Sequence, residues 1–292
     1  MIIAIYGRSL AKEAVPELKE LFSSLARFDA GVMIFTPFKK FLVDTLHFDL
    51  PACAEFDSAA QVKMHADLML SLGGDGTFLE SVAYVEESCI PVVGINFGRL
   101  GFLAHIASGN IGEAIEQLFT NQYRVEARSM LSVTMPNNPF NPFPFGLNDF
   151  SLQKNGSSMI TVNAYINNEF LCTYWADGLI VSTPTGSTAY SLSVGGPIVS
   201  PNTSAMLISP IAPHHLTVRP LLIPDNSVLR LEASGRDESV TVSLDSHSYT
   251  IPAPVSIEVA IAPFKVGVVI LDGTSYYKTL RGKLMWGADS RN

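Results

Sequence analysis

The chain has 292 residues, enough for two modest domains or one large one, and its 47% hydrophobic and 16% charged content supplies a core and excludes a disordered chain. A formal net charge of −8 argues against non-specific nucleic-acid binding, so any phosphate must be held by local devices: backbone amides, a few placed cations or a bound metal. Cys53, Cys89 and Cys172 are scattered, odd in number and without metal-ligand spacing, a pattern that fits a reducing compartment and no disulfides.

The first third alternates short apolar runs with helical patterns. "MIIAIYG" predicts a strand, and Ala11 to Phe28 an amphipathic helix with Val15, Leu18, Leu21, Phe22 and Leu25 on one face. "GVMIFT" and "DLMLSLGG" are further strands, the second followed by a helix from Thr77 to Glu87 and then by the strand "IPVVGIN". Runs that are apolar throughout suit parallel strands covered on both faces, so residues 1–122 predict an open α/β sheet.

The character changes near Tyr123. From there to about residue 265, period-two patterns such as "ITVNAYIN", "VLRLEAS" and "SVTVSL" are separated by turn signals at Asn155-Gly156 and Asn167-Asn168, which predicts a β-rich domain. The tail, 266–292, returns to an apolar strand, "VGVVILDG", and a helical segment, and is expected to pack back on the first domain. The start carries neither a basic leader nor a long apolar run, and no stretch reaches the ~18 apolar residues of a membrane span. The expectation is a soluble cytoplasmic protein that binds neither membrane nor nucleic acid.

Two stretches carry chemistry. "GGDGT", Gly73 to Thr77, follows a strand and opens a helix. In an open α/β sheet ligands bind at the carboxyl ends of the strands, and the amides of Gly73, Gly74, Gly76 and Thr77 with the helix N-terminus form a natural phosphate site. Asp75 there can accept the proton of a hydroxyl that attacks a γ-phosphate. A tight turn with Asp75 capping the helix explains the pentapeptide equally well. The other stretch is "DGLIVSTPTGSTAYSLSVGGPIVSP", Asp177 to Pro201, which holds glycines and small hydroxyls with a single charge. Its hydroxyls suit close hydrogen bonds to a ribose, an amide or a phosphate, and Tyr190 suits either stacking on a base or the core.

Other features point nowhere specific. His214-His215 lack a third metal ligand, and neighbours on a strand face opposite ways. Arg219 reads as buried and paired. Ser187 lacks a "GxSxG" elbow, which disfavours a hydrolase. "PNNPFNPFPFG", Pro136 to Gly146, must be a loop, and either shapes an entrance before Asn148, offers Phe143 or Phe145 to a neighbour, or simply connects.

Taken together, "GGDGTFL", "NDF" at Asn148 to Phe150, "GINFGRLGFLA", the Asp177 to Pro201 stretch with its specific "TPTGSTAYSLS", and "LDSHSYTIP" resemble the NAD kinase family, in the family's order and over most of the chain. The resemblance implies ATP-dependent, in some members polyphosphate-dependent, phosphorylation of the adenosine 2′-hydroxyl of NAD, with a divalent cation, Mg²⁺, bound through the ATP phosphates. It implies Asp75 as general base, Gly76 against the dinucleotide, Asn148 and Asp149 on the ribose hydroxyls and Asp177 toward the nicotinamide end. It places Thr188, Ala189, Tyr190, Ser191, Leu192 and Ser193 along the adenine and ribose, and Ser158, Trp175, Ala212 and His247 at further NAD contacts. It also implies a homodimer or homotetramer. Departures from the family pattern are Asp149 for a usual Glu, Glu80 for a usual Arg or Lys, Trp175 for a polar residue and His247 for Gln. Glu80 leaves donor binding more dependent on a metal or on Arg99. The alternatives are a GGDGT-type lipid or sugar-phosphate kinase and a non-catalytic dinucleotide-binding sensor.

Overall fold

The computed structural model describes residues 1–98 and 101–287. In chain order the elements are β1 (Ile2–Gly7), α1 (Val15–Arg27), β2 (Gly31–Phe35), α2 (Thr36–Asp44), β3 (Ala54–Phe56), α3 (Ala59–His65), β4 (Leu68–Leu72), α4 (Asp75–Val85), β5 (Val92–Asn96), β6 (Ile106–Ala107) and α5 (Ile111–Phe119). There follow β7 (Tyr123–Thr134), β8 (Phe145–Gly146), β9 (Asp149–Lys154), β10 (Ile160–Ile166), β11 (Glu169–Ala176), β12 (Gly178–Ser182) and α6 (Tyr190–Ser193). The chain closes with β13 (Ala205–Ile211), β14 (Leu221–Pro224), β15 (Leu229–Gly235), β16 (Ser239–Leu244), β17 (His247–Pro252), β18 (Val255–Leu271) and α7 (Tyr276–Leu284). It divides into two compact units: Met1–Ala127 with the tail from Val266 onward, and Arg128–Lys265.

The first unit is an open parallel sheet in the order β5-β4-β1-β2-β3. Every residue of β4 and β5 is buried, as expected for strands covered by helices on both faces. Leu18, Leu21, Phe22 and Leu25 of α1 are buried in the same core as Ile3, Ile5, Leu70 and Val93, which is the face the 3.6-residue period predicts. A short 3-10 turn at Lys12–Ala14 precedes α1, so the helix proper starts at Val15, with a proline in its first turn. The run "VGVVILDG" is the end of the 17-residue β18, and Val268 pairs in parallel with Val92 of β5. The tail helix α7 buries Leu280, while Met285 sits beyond it in the left-handed region and is exposed.

The second unit is antiparallel throughout. One sheet runs β11-β10-β15 and then the first residues of β18; the other runs β14-β13-β12-β9-β16-β17. Their inward residues, among them Val162, Leu231 and Val259 from one and Phe150, Val181 and Val240 from the other, share a single core, so the unit is a two-sheet sandwich. Asn167 and Asn168 both have positive φ (50° and 68°) and close the β10–β11 hairpin, as the dipeptide predicts. The proline-rich loop packs on its own unit: Phe140 is buried against Tyr249, and Phe145 meets Phe143 and Phe264 edge-on. Two expectations are corrected here. His214 and His215 lie in the loop after β13, not on a strand, with the Trp175 ring stacked 4.7 Å from that of His215. Arg219 is exposed and donates to the carbonyls of Leu216 and Val218 instead of being buried in an ion pair.

Candidate active site

The glycine loop sits at the carboxyl end of β4, beside the end of β1, with which Leu72 and Gly7 are in register. Gly73 has φ +152°, a conformation an L side chain rarely adopts, and this turns the chain from strand to helix. Gly74 and Gly76 are different: among the described residues, a Cβ at either would meet nothing within 4 Å. Packing within the protein does not require them to be glycine, so their bare backbone leaves room for something outside it. Gly74 is the N-cap, and α4 begins at Asp75, two residues earlier than the sequence suggests, because the apolar period is hidden behind the glycines.

Asp75 is fixed from a second loop. Its Oδ2 accepts from the N–H of Phe102 (2.9 Å), and its Oδ1 accepts from those of Leu103 (3.0 Å) and Ala104 (2.9 Å). Any side chain on Gly101 would overlap this carboxylate, so the close approach depends on glycine there. Lys283 of α7 places its Nζ 3.7 Å from Asp75 Oδ2 and 4.6 Å above the Phe102 ring, which makes the tail a part of this loop cluster. On the far side, the Glu80 carboxylate pairs with Arg8 Nε and accepts from the Tyr6 hydroxyl at 2.9 Å. Arg99 lies outside the described residues. The Gly73 N–H, expected to hold phosphate, instead donates to the Ile95 carbonyl at 3.0 Å. The site is thus the amides of residues 74–77 at a helix N-terminus, with one oriented carboxylate and two cations at its margins, an arrangement suited to phosphate beside a hydroxyl.

In the second unit, Asn148 and Asp149 stand at the start of β9. The Asp245 carboxylate accepts from three consecutive amides: Leu147 (2.7 Å), Asn148 (2.8 Å) and Asp149 (3.1 Å). Asp245 itself turns at φ +49° between β16 and β17, and its N–H donates to the Asp149 carbonyl. The Asn148 carbonyl accepts from Thr183 N–H, and the Thr183 hydroxyl donates to the Leu147 carbonyl at 2.6 Å. The segment is therefore clamped from both sides, while the Asn148 carboxamide makes no hydrogen bond among the described residues. Burial pushes the Asp149 carboxyl up to about 7, the Asp245 charge adds to the rise, and the Tyr190 N–H draws it back. Burial also raises Asp245, against which the three amide donors and His247 act.

The structure brings Thr188, Ala189, Tyr190, Ser191, Leu192 and Ser193 to this same place, on a 3-10 turn (Thr185–Thr188) and α6. Most hydroxyls of the stretch are spent internally. Ser187 donates to Pro184 and accepts from Val199, Ser191 pairs with Ser209 at 2.9 Å, and Thr188 donates to Thr185. Ser191 is fully buried, so only its backbone can serve a ligand, whereas Tyr190 is 38% exposed and is not a core residue. His247 is exposed at the start of β17.

A third group lies at the other ends of β9 and β12. Ser158 and Asp177 line a cavity of about 790 Å³ with Lys154, Thr161, His214 and Arg236, and Asp177 pairs with Lys154 at 2.6 Å. Trp175, 46% exposed, and Ala212, at φ +44°, flank Asp177, whose N–H donates to Ile211. Asp149 pairs with Ser182 and Gln153 with Gly178 in the β9–β12 ladder. The two groups are therefore five residues apart along β9, roughly 17 Å at the usual strand rise. Arg8, Lys283 and Asp245 escaped the sequence reading, the last standing in the "LDS" of an ordinary-looking hairpin turn.

A glycine-loop α/β unit with a β-sandwich unit defines a nucleotide-handling phosphotransferase class, and comparison with known proteins narrows it. The family descriptions "ATP-NAD kinase N-terminal domain" and "ATP-NAD kinase C-terminal domain" match residues 43–123 and 147–271. The chain is 41% identical to an NAD kinase of Cytophaga hutchinsonii over 293 residues and 39% identical to one of Bacteroides fragilis over 292, in both cases covering 100% of each chain. Its fold is similar to that of yeast NADH kinase complexed with NADH (TM-score 0.86, 24% identity, 99% of this chain and 89% of that one). It is also similar to that of an Archaeoglobus fulgidus NAD kinase in complex with ATP (TM-score 0.76, 23% identity, 98% and 99%). The chain belongs to the NAD kinase family.

Proposed function

We propose that this protein transfers the γ-phosphoryl group of ATP to the adenosine 2′-hydroxyl of NAD, giving NADP and ADP. The observation that carries the reading is the Asp75 carboxylate, held by three amides beside a loop in which Gly74 and Gly76 are not required by packing among the described residues. Asp75 takes the proton as the 2′-oxygen bonds to the γ-phosphorus and the bond to ADP breaks. The amides of residues 74–77 hold the phosphates and spread the developing charge. Asn148, with its free carboxamide, and Asp149 hold the ribose, and Tyr190 borders the base. The divalent cation, Mg²⁺, enters with ATP as part of the substrate, and supplies charge neutralisation of its phosphates. Among the described residues no three His, Cys, Asp or Glu side chains gather to hold a resident metal.

The protein works as a homodimer or homotetramer in this reading. The exposed Trp175, Leu216 and Leu222 support it. Light scattering gives the oligomeric state directly. A cytoplasmic location rests on free cysteines, and among the described residues no helix is long and apolar enough to cross a membrane.

The test is to incubate the protein with ATP, Mg²⁺ and NAD and to follow NADP with an NADP-specific dehydrogenase. NADP formation is the expected result. NAD binding without turnover would instead indicate a sensor, and no binding at all would return the lipid and sugar-phosphate kinases.

A further inference from the structure

The loop that must receive a polyanion is locally acidic. Asp75 and Glu80 both lie on α4, residues 73–77 contain no cation, and the chain carries −8 overall. Lys283 is already engaged with Asp75. Among the described residues, the other cation placed at this loop is Arg8. Gly7 and Leu72 are in register in adjacent parallel strands, so Arg8 leaves β1 where Gly73 leaves β4, about one strand spacing (~4.8 Å) away. That is the carboxyl end of the sheet, where ligands of such folds bind.

Arg8 is also oriented. Its Nε is turned onto the Glu80 carboxylate, which is 10% exposed and is held in place by the Tyr6 hydroxyl. Tyr6 is in turn packed by Phe35 and Tyr84, at 4.7 and 5.2 Å between ring centroids. The Arg8 side chain is 66% exposed. An ion pair with one partner this exposed adds little to stability, so stability alone does not account for the buried, aromatic-walled support beneath it. Anchored at Nε, a guanidinium presents its terminal nitrogens as a fork matched to phosphate oxygens.

We infer that Arg8, positioned by Glu80, binds the phosphates of the phosphoryl donor at the glycine loop. The inference rests on the kinase reading above and adds to it the residue that holds the donor. Glu80, which by itself would repel ATP, becomes the holder of the cation that attracts it.

The experiment is steady-state kinetics of the full chain with Mg-ATP and NAD varied in turn, for wild type, Arg8→Gln, Arg8→Lys and Glu80→Gln. Arg8→Gln is expected to raise KM for ATP about tenfold or more, with KM for NAD within about twofold, because a charge-assisted contact is lost only on the donor side. Arg8→Lys keeps the charge without the fork and falls between. Glu80→Gln keeps Arg8 but loosens it, and raises KM for ATP by a smaller factor at unchanged Tm. An unchanged KM for ATP in Arg8→Gln, or equal rises for both substrates, overturns the inference while leaving the kinase reading intact. Absence of NADP from the wild type overturns the kinase reading itself.

Discussion

The glycine loop of the first unit and the hydroxyl-rich stretch of the sandwich unit are similar in sequence, both small, flexible and nearly uncharged, yet they are built on opposite terms. In the glycine loop, a side chain at Gly74 or Gly76 would meet none of the described residues, and the amides of residues 74–77 stand at the start of a helix, where no intrahelical partner exists. In the hydroxyl-rich stretch, Thr183, Thr185, Ser187 and Ser191 are buried, and three of their hydroxyls are bonded to neighbouring backbone or to Ser209. One region keeps its polar groups for a ligand. The other uses them as scaffolding that presents a few: Asn148, Asp149 and the Tyr190 ring. Small polar residues therefore mark a site in two ways, and only the hydrogen-bond partners tell which.

The contrast is broken most severely at Asp75. Asp75→Asn keeps the shape and removes the base, so turnover should fall ~10²-fold or more while NAD affinity holds. Next comes Asp245, whose carboxylate fastens three amides of the sandwich unit. Asp245→Asn replaces one acceptor oxygen with an NH2 group that faces amide donors, and KM for NAD should rise about tenfold with a lower Tm. A smaller effect tests the scaffolding claim. Ser187→Ala leaves buried partners at Pro184 and Val199 and should cost about 1–3 kcal/mol by denaturant unfolding, with kcat nearly unchanged.

The smallest effect is in pH. Asp149 is pushed up to about 7 and Asp245 is raised as well, so the folded protein holds protons that an unfolded chain, with carboxyls near ~4, has released. Stability from Asp149 is present below about pH 4 and is lost as pH rises through about 7, and Asp245 contributes in the same direction. Asp149→Asn should flatten that decline when Tm is followed over the same range.

Much of this was legible from the residues alone. Continuous apolar runs pointed to the parallel unit, alternation to a β-rich unit though not to its two-sheet sandwich, and "GGDGT" marked the sheet end where Asp75 stands. What stayed hidden was long-range. Nothing local to "LDSHS" announces that Asp245 will cap amides nearly a hundred residues away. Nor does "YGRS" show that Arg8 will be held by Glu80 across 72 residues. Hydroxyls expected to meet a ligand instead met the chain, because buried polar groups must be paired and their own backbone was nearest.

The most direct test sets wild type and Asp75→Asn side by side, measuring NADP formed from Mg-ATP and NAD together with NAD binding in the same samples. The account predicts NADP from the wild type, ~10²-fold less from the variant, and equal NAD binding by both. Near-normal turnover in Asp75→Asn would contradict it, and would leave the three amides around that carboxylate as a structural clamp alone.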